Sequence, residues 1–130
     1  MKLLLDTHVI IWALSDSNKL PTNIKELILQ DNSEIYVSAV SLWEIALKHK
    51  KAPDLFPYTA SQIRYYCQRA GYIFLSVNLD NVEVLEKTSF KEHKDPFDLM
   101  LVSQSISNNM KLLTHDEKIK RCEAGFIEFF

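Results

Sequence analysis

Leu3, Leu4 and Leu5 form an unbroken apolar run that stops at an acid, Asp6. Four or five residues are too few for a stable helix, and no polar residue alternates with the leucines. The segment Lys2–Leu5 therefore reads as a strand covered on both faces. Such a strand dictates a layer of helices above it and another below. The same signature returns at Ile35–Val37, Tyr72–Ser76, Leu112–Leu113 and Phe126–Phe129.

Helical spacing fills the intervals. Val9–Leu14 follows the first run, and Ile24, Leu27 and Ile28 follow a Pro21-Thr22 start. The segment Ser38–Lys50 carries Val40, Trp43 and Leu47 on one expected inward face. Thr59 and Gln62 make a capping box, and Gly71 is a natural stop for that helix. Asn78–Lys87 turns Val82 and Leu85 inward by its periodicity. Asp95 caps the next helix and Pro96 occupies its first position, where a missing N–H costs nothing. Asp116–Arg121 gives a last helical turn or two.

Strands alternating with helices imply βαβ units and a parallel sheet. The expectation is one α/β domain over residues 1–130, a three-layer α/β/α sandwich on a parallel, roughly five-stranded sheet. No apolar run nears the ~20 residues of a bilayer span, so no membrane is expected as a partner. Asp6 also interrupts the first run too early for a signal peptide. Two cysteines, Cys67 and Cys122, cannot build a disulfide framework, and a reducing cytoplasmic setting is expected. Two glycines exclude a Gly-rich phosphate loop.

In open parallel sheets, ligands bind beyond the carboxyl ends of the strands. Acids cluster there: Asp6 after the first strand, Glu44 in the helix after the second, Asp98 at a helix start, Asp116 after the fourth. Oxygen donors of this kind suit Mg²⁺ or Mn²⁺. Such ions activate water for phosphodiester hydrolysis. Asp6 and Asp98 are expected to hold the principal ion, with Asp116 a direct or water-mediated ligand. Glu44 would hold a second ion or orient water. Thr7, Ser41 and Thr114 stand behind these acids as supporting groups. Each acid also has a structural alternative. Asp6 and Asp116 could cap helices, Asp98 could complement a helix dipole, and Ser41 with Glu44 fits a capping box. Asp95 is assigned to capping rather than to chemistry.

The four segments together resemble the PIN domain (PilT N-terminus) family, of the type found in VapC toxins of bacterial toxin–antitoxin pairs. The resemblance lies in Leu3-Leu4-Leu5-Asp6-Thr7-His8, in Val37–Ala46 around Trp43-Glu44, in His93-Lys94-Asp95-Pro96-Phe97-Asp98, and in Leu113-Thr114-His115-Asp116. It implies a Mg²⁺-dependent endoribonuclease acting through Asp6, Glu44, Asp98 and Asp116. It also implies a homodimer and a cognate antitoxin that blocks the site with a peptide. One residue departs from the pattern: Leu99 stands where many members carry arginine.

Net charge is −2, so removing the four site acids leaves the rest at +2. Lys48, His93 and Lys94 are the candidates for holding an RNA backbone, and Lys118, Lys120 and Arg121 follow Asp116. His8 falls one helix turn from Trp12 and reads equally as packing. Tyr58, Tyr65 and Tyr72 are candidates for a partner face or for the core. Two rival functions are weighed. A phosphatase using Asp6 as nucleophile would want an aspartate where His8 stands. A non-catalytic binding module would keep the fold and use the acids for a partner.

Overall fold

A computed structural model describes residues 1–89, 95–120 and 127–130. Its sheet has five parallel strands: β1 (Lys2–Leu5), β2 (Glu34–Ser38), β3 (Ile73–Leu75), β4 (Lys111–Thr114) and β5 (Ile127–Phe129). Their spatial order is β3-β2-β1-β4-β5. The helices are α1 (Thr7–Leu14), α2 (Thr22–Leu29), α3 (Ala39–Lys51), α4 (Ala60–Arg69), α5 (Leu79–Lys87), α6 (Pro96–Ser107) and α7 (Glu117–Lys120).

The leucine run behaves as its composition demands. Leu3, Leu4 and Leu5 are all fully buried, because β1 lies at the centre with β2 and β4 beside it. Alternation along the strands splits the core in two. Leu3, Leu5, Ile35, Val37 and Leu113 join residues of α1, α2, α3 and α4 on one face. Leu4, Leu112 and Tyr36 join Leu101, Val102 and Ile119 of α6 and α7 on the other. These are the three expected layers. The chain leaves β1 for β2 on one side and later crosses to β4 on the other. The carboxyl ends of β1 and β4 therefore flank a topological switch point, the usual ligand crevice of such sheets.

Several expectations about helix faces need correction. The buried stripe of α3 is Val40, Ser41, Glu44 and Ile45, while Trp43 and Leu47 face outward. In α5, Asn81 is buried and Val82 exposed, because Asn81 answers to a polar network described below. The strand β3 is shorter than expected and half open, as suits a sheet edge. Tyr58 and Tyr65 are exposed, whereas Tyr72 packs against the first core. Cys67 is core, and burial pushes its thiol up to about 11. His93, Lys94, Arg121, Cys122 and Phe126 lie outside the described residues.

Candidate active site

Asp6 is where β1 ends and α1 begins. Its extended backbone makes it the N-cap of α1. One carboxylate oxygen accepts the Thr7 N–H at 2.7 Å, and the other accepts the Thr114 hydroxyl at 2.8 Å. The structural and functional readings of Asp6 are therefore compatible: capping fixes the carboxylate at the strand end without removing its remaining lone pairs. Burial holds the Asp6 carboxyl above its ordinary range. Its bonds from Thr114 and Thr7 and the nearby His8 oppose that rise, and Glu44 adds to it.

Glu44 is settled against its capping-box reading. Ser38, not Ser41, caps α3, accepting the Val40 N–H at 3.0 Å. Glu44 thus sits a full turn inside the helix, with only 7% of its surface exposed. A buried carboxylate needs partners, and it has two kinds. Thr7 donates its hydroxyl to Glu44 Oε1 at 2.6 Å, and Lys48 Nζ lies 2.8 Å from Oε2. Thr7 Oγ1 also lies 3.1 Å from Ser41 Oγ. Thr7 has one proton, and the carboxylate is its acceptor, so the Ser41 hydroxyl donates to Thr7. Lys48, a candidate for RNA contact, already spends its charge on Glu44.

Asp98 occupies the first turn of α6 and is 7% exposed. Asp95 takes the capping role assigned to it, its Oδ1 accepting from Phe97 N at 2.9 Å and Asp98 N at 3.2 Å. Burial, then the charges of Asp6, Asp95, Asp116 and Glu44, push the Asp98 carboxyl up to about 8. Its causes are also a map. Asp6, Glu44 and Asp116, from three other segments, all stand within electrostatic reach of Asp98, and Glu44 stands within reach of Asp6. Asp116 is half-buried and, like Asp6, caps a helix: its Oδ1 accepts from Lys118 N at 2.8 Å. Thr114 ties two of the acids together, because its hydroxyl also accepts from Asp116 N at 3.0 Å.

Sequence reasoning missed Gln104. Fully buried in α6, it accepts from Ser38 Oγ at 2.6 Å and donates to the Ser76 carbonyl at 3.3 Å. Its amide also lies 3.5 Å from Asn81 Oδ1. Gln104 thereby holds the end of β2 and the cap of the helix that carries Glu44. The available signal was a glutamine three residues after Leu101 on the buried stripe. Leu99, the departure noted above, lines an apolar cleft of about 510 Å³ with Trp43, Val77, Leu85 and Met100. Trp43 meets Phe97 edge-on at its border, 4.8 Å between centroids.

The sequence model of the PIN domain family matches residues 3–124. The chain belongs to the PIN domain family. Solved structures agree in fold. VapBC2 from Rickettsia felis, bound to a DNA fragment from its promoter, has a TM-score of 0.70 and 18% identity, covering 99% of this chain and 98% of its own. VapBC-1 from nontypeable Haemophilus influenzae follows at 0.66 and 20%, covering 99% and 98%. A toxin–antitoxin complex from Klebsiella pneumoniae gives 0.63 and 15%, covering 97% and 95%. Comparison with curated proteins gives no match. Among the described residues of this PIN domain, no three or more His, Cys, Asp or Glu side chains are grouped so that they could hold a metal ion. No described helix is long and apolar enough to cross a membrane.

Proposed function

We propose that this PIN domain is a VapC-type toxin, an endoribonuclease that hydrolyses RNA phosphodiester bonds with Mg²⁺, Mn²⁺ being able to replace it. The observation that carries this reading is the environment of Asp98. Its buried carboxyl stands among the charges of Asp6, Asp95, Asp116 and Glu44 and is pushed up to about 8, a concentration of negative charge that a bound divalent cation relieves.

The donor set fits a hard divalent ion. It is all oxygen, and Mg²⁺ keeps several waters and takes one or two carboxylates rather than a full protein cage. Asp6 and Asp98 would hold the ion, with Asp116 ligating directly or through water. When bound, such an ion lowers the pKa of water and offsets charge on the phosphate oxygens. The chain's own residues do the rest. Thr7 and Thr114 hold Asp6 in one orientation. Lys48 and Thr7 fix the Glu44 side chain, and each Glu44 oxygen retains a lone pair with which to orient a water.

The same reading includes a cognate antitoxin, a homodimer and a cytoplasmic site of action. The three similar structures are toxin–antitoxin assemblies, which supports the antitoxin. The test is cleavage of RNA by purified protein beside its Asp6→Asn and Asp98→Asn forms, with and without Mg²⁺. Each substitution is expected to cost about 10²–10³-fold, the scale of removing one charge-stabilising group. Equal cleavage by all three would dismiss the site. RNA binding with no cleavage by the wild type would favour the binding-module reading.

A further inference from the structure

Beside the carboxylates lies a second set of side chains that hydrolysis leaves unused. His8 and His115 each have ring centroids 6.0 Å from Trp12, and Phe130 meets Trp12 edge-on at 6.4 Å. His115 is also stacked on Phe130 at 5.0 Å and on Phe129 at 5.7 Å, with planes 26° and 10° apart. Both imidazoles are exposed, while Trp12 and the two phenylalanines are half-buried. A seal over a sheet edge needs no exposed imidazoles.

Three features give this strip a direction. It starts at the acids, since His8 is two residues from Asp6 and His115 lies between Thr114 and Asp116. His115 is held in one orientation, because its Nδ1 bonds the Phe130 carbonyl. A carbonyl only accepts, so Nδ1 carries the proton in that bond. At Trp12 the strip meets a cation, Lys19 Nζ, 5.7 Å from the ring centroid. Rings without a fixed donor–acceptor code, continuous with a phosphodiester site and next to a lysine, match the chemistry of unpaired nucleotides.

We infer that His8, Trp12, His115 and Phe130 form a stacking platform for the unpaired bases of single-stranded RNA next to the cleaved phosphate, with Lys19 meeting a backbone phosphate. The location of the cleaved bond rests on the nuclease reading; the stacking of bases does not. The platform would be tolerant of base identity, since every base offers a π-face.

The chain has two tryptophans, so Trp43→Phe leaves Trp12 as the sole reporter. In that background, a short single-stranded RNA in metal-free buffer should quench Trp12 fluorescence saturably. An RNA of equal length with abasic central positions should bind about ten-fold more weakly, the scale of losing one stacked base. His8→Ala and His115→Ala should weaken the intact RNA similarly, and His8→Phe should restore it. Thermal melts identify any variant that fails to fold; the abasic comparison needs no variant of the strip. Equal affinity for the two RNAs would overturn the proposal. So would quenching that rises with protein concentration without RNA, which would mark a protein–protein face. Cleavage of the same RNA with Mg²⁺ separates the two readings. Cleavage without base-dependent quenching sinks the platform alone, and quenching without cleavage sinks the nuclease alone.

Discussion

The two sides of the acidic site solve the problem of buried charge in opposite ways. On the α3 side, Glu44 is matched within the chain by the Lys48 ammonium and the Thr7 hydroxyl. On the α6 side, Asp98 is equally buried but faces the charges of Asp6, Asp95, Asp116 and Glu44, and it rises to about 8. One carboxylate is matched by a cation and a hydroxyl, and the other is pushed toward its protonated form by burial and neighbouring acids. The contrast teaches where an added cation would act. It would displace the proton on Asp98 and relieve repulsion there, whereas at Glu44 it would compete with a lysine already in place.

The largest expected effect tests the Asp98 side directly. A carboxyl whose pKa is raised on folding binds more protons in the native than in the unfolded state between the two values. Its stabilising contribution is complete below the unfolded value, near 3.8, and is lost as pH climbs through about 8. Metal-free protein should therefore melt at falling temperatures from pH 5 to pH 8, so far as Asp98 governs the profile. Asp98→Asn cannot ionise and should flatten that fall. At pH 8 it should be the more stable protein by at least about 1 kcal/mol, less than one pKa unit's worth. Mg²⁺ should then raise the melting temperature of the wild type at pH 8, and that of Asp98→Asn much less. Parallel melting profiles for the two proteins would erase the contrast.

Thr114→Val comes next in size. The hydroxyl donates to Asp6 and accepts from Asp116 N–H, so its removal strands two groups at once. Leaving buried polar groups without partners costs about 1–3 kcal/mol. Urea unfolding should show a loss in that range. A loss of only a few tenths would mean that water replaces the threonine and that the strand end is less closed than it looks.

How much of this was legible beforehand depended on whether a residue answers to one element or to several. β1 was readable because its leucines are buried whichever way they point. Asp95 and Asp98 could be separated because Pro96 marks where the helix starts. The faces of α3 and α5 were not readable from periodicity alone. A helical repeat groups residues onto a face, but the packing partner decides which face is inward. For α3 that partner is Thr7 of α1, which bonds Ser41 and Glu44, so Trp43 and Leu47 turned outward. Gln104 escaped notice because its partners, Ser38, Ser76 and Asn81, come from three other segments. Lys48 was read as a cation for RNA, although its four-residue spacing from Glu44 already offered a partner.

Lys48→Met carries the smallest expected effect and tests the other side of the contrast. Methionine keeps an apolar stem near Phe56, over whose ring the lysine head lies at 5.8 Å, and removes only the charge. The lysine is 39% exposed, so solvent screens the pair and its worth is below about 1 kcal/mol. Thr7 still donates to the Glu44 carboxylate, so stability should fall by no more than that. RNA binding separates pairing from phosphate contact. A lysine that neutralises a phosphate adds about one ion to the salt dependence of binding, whereas a lysine spent on Glu44 adds none. The slope of log affinity against log salt should be the same for Lys48→Met and wild type. A slope shallower by about one would make Lys48 an RNA contact. It would also show that Glu44 rests mainly on the Thr7 hydroxyl, with the two sides of the site less different than their geometry suggests.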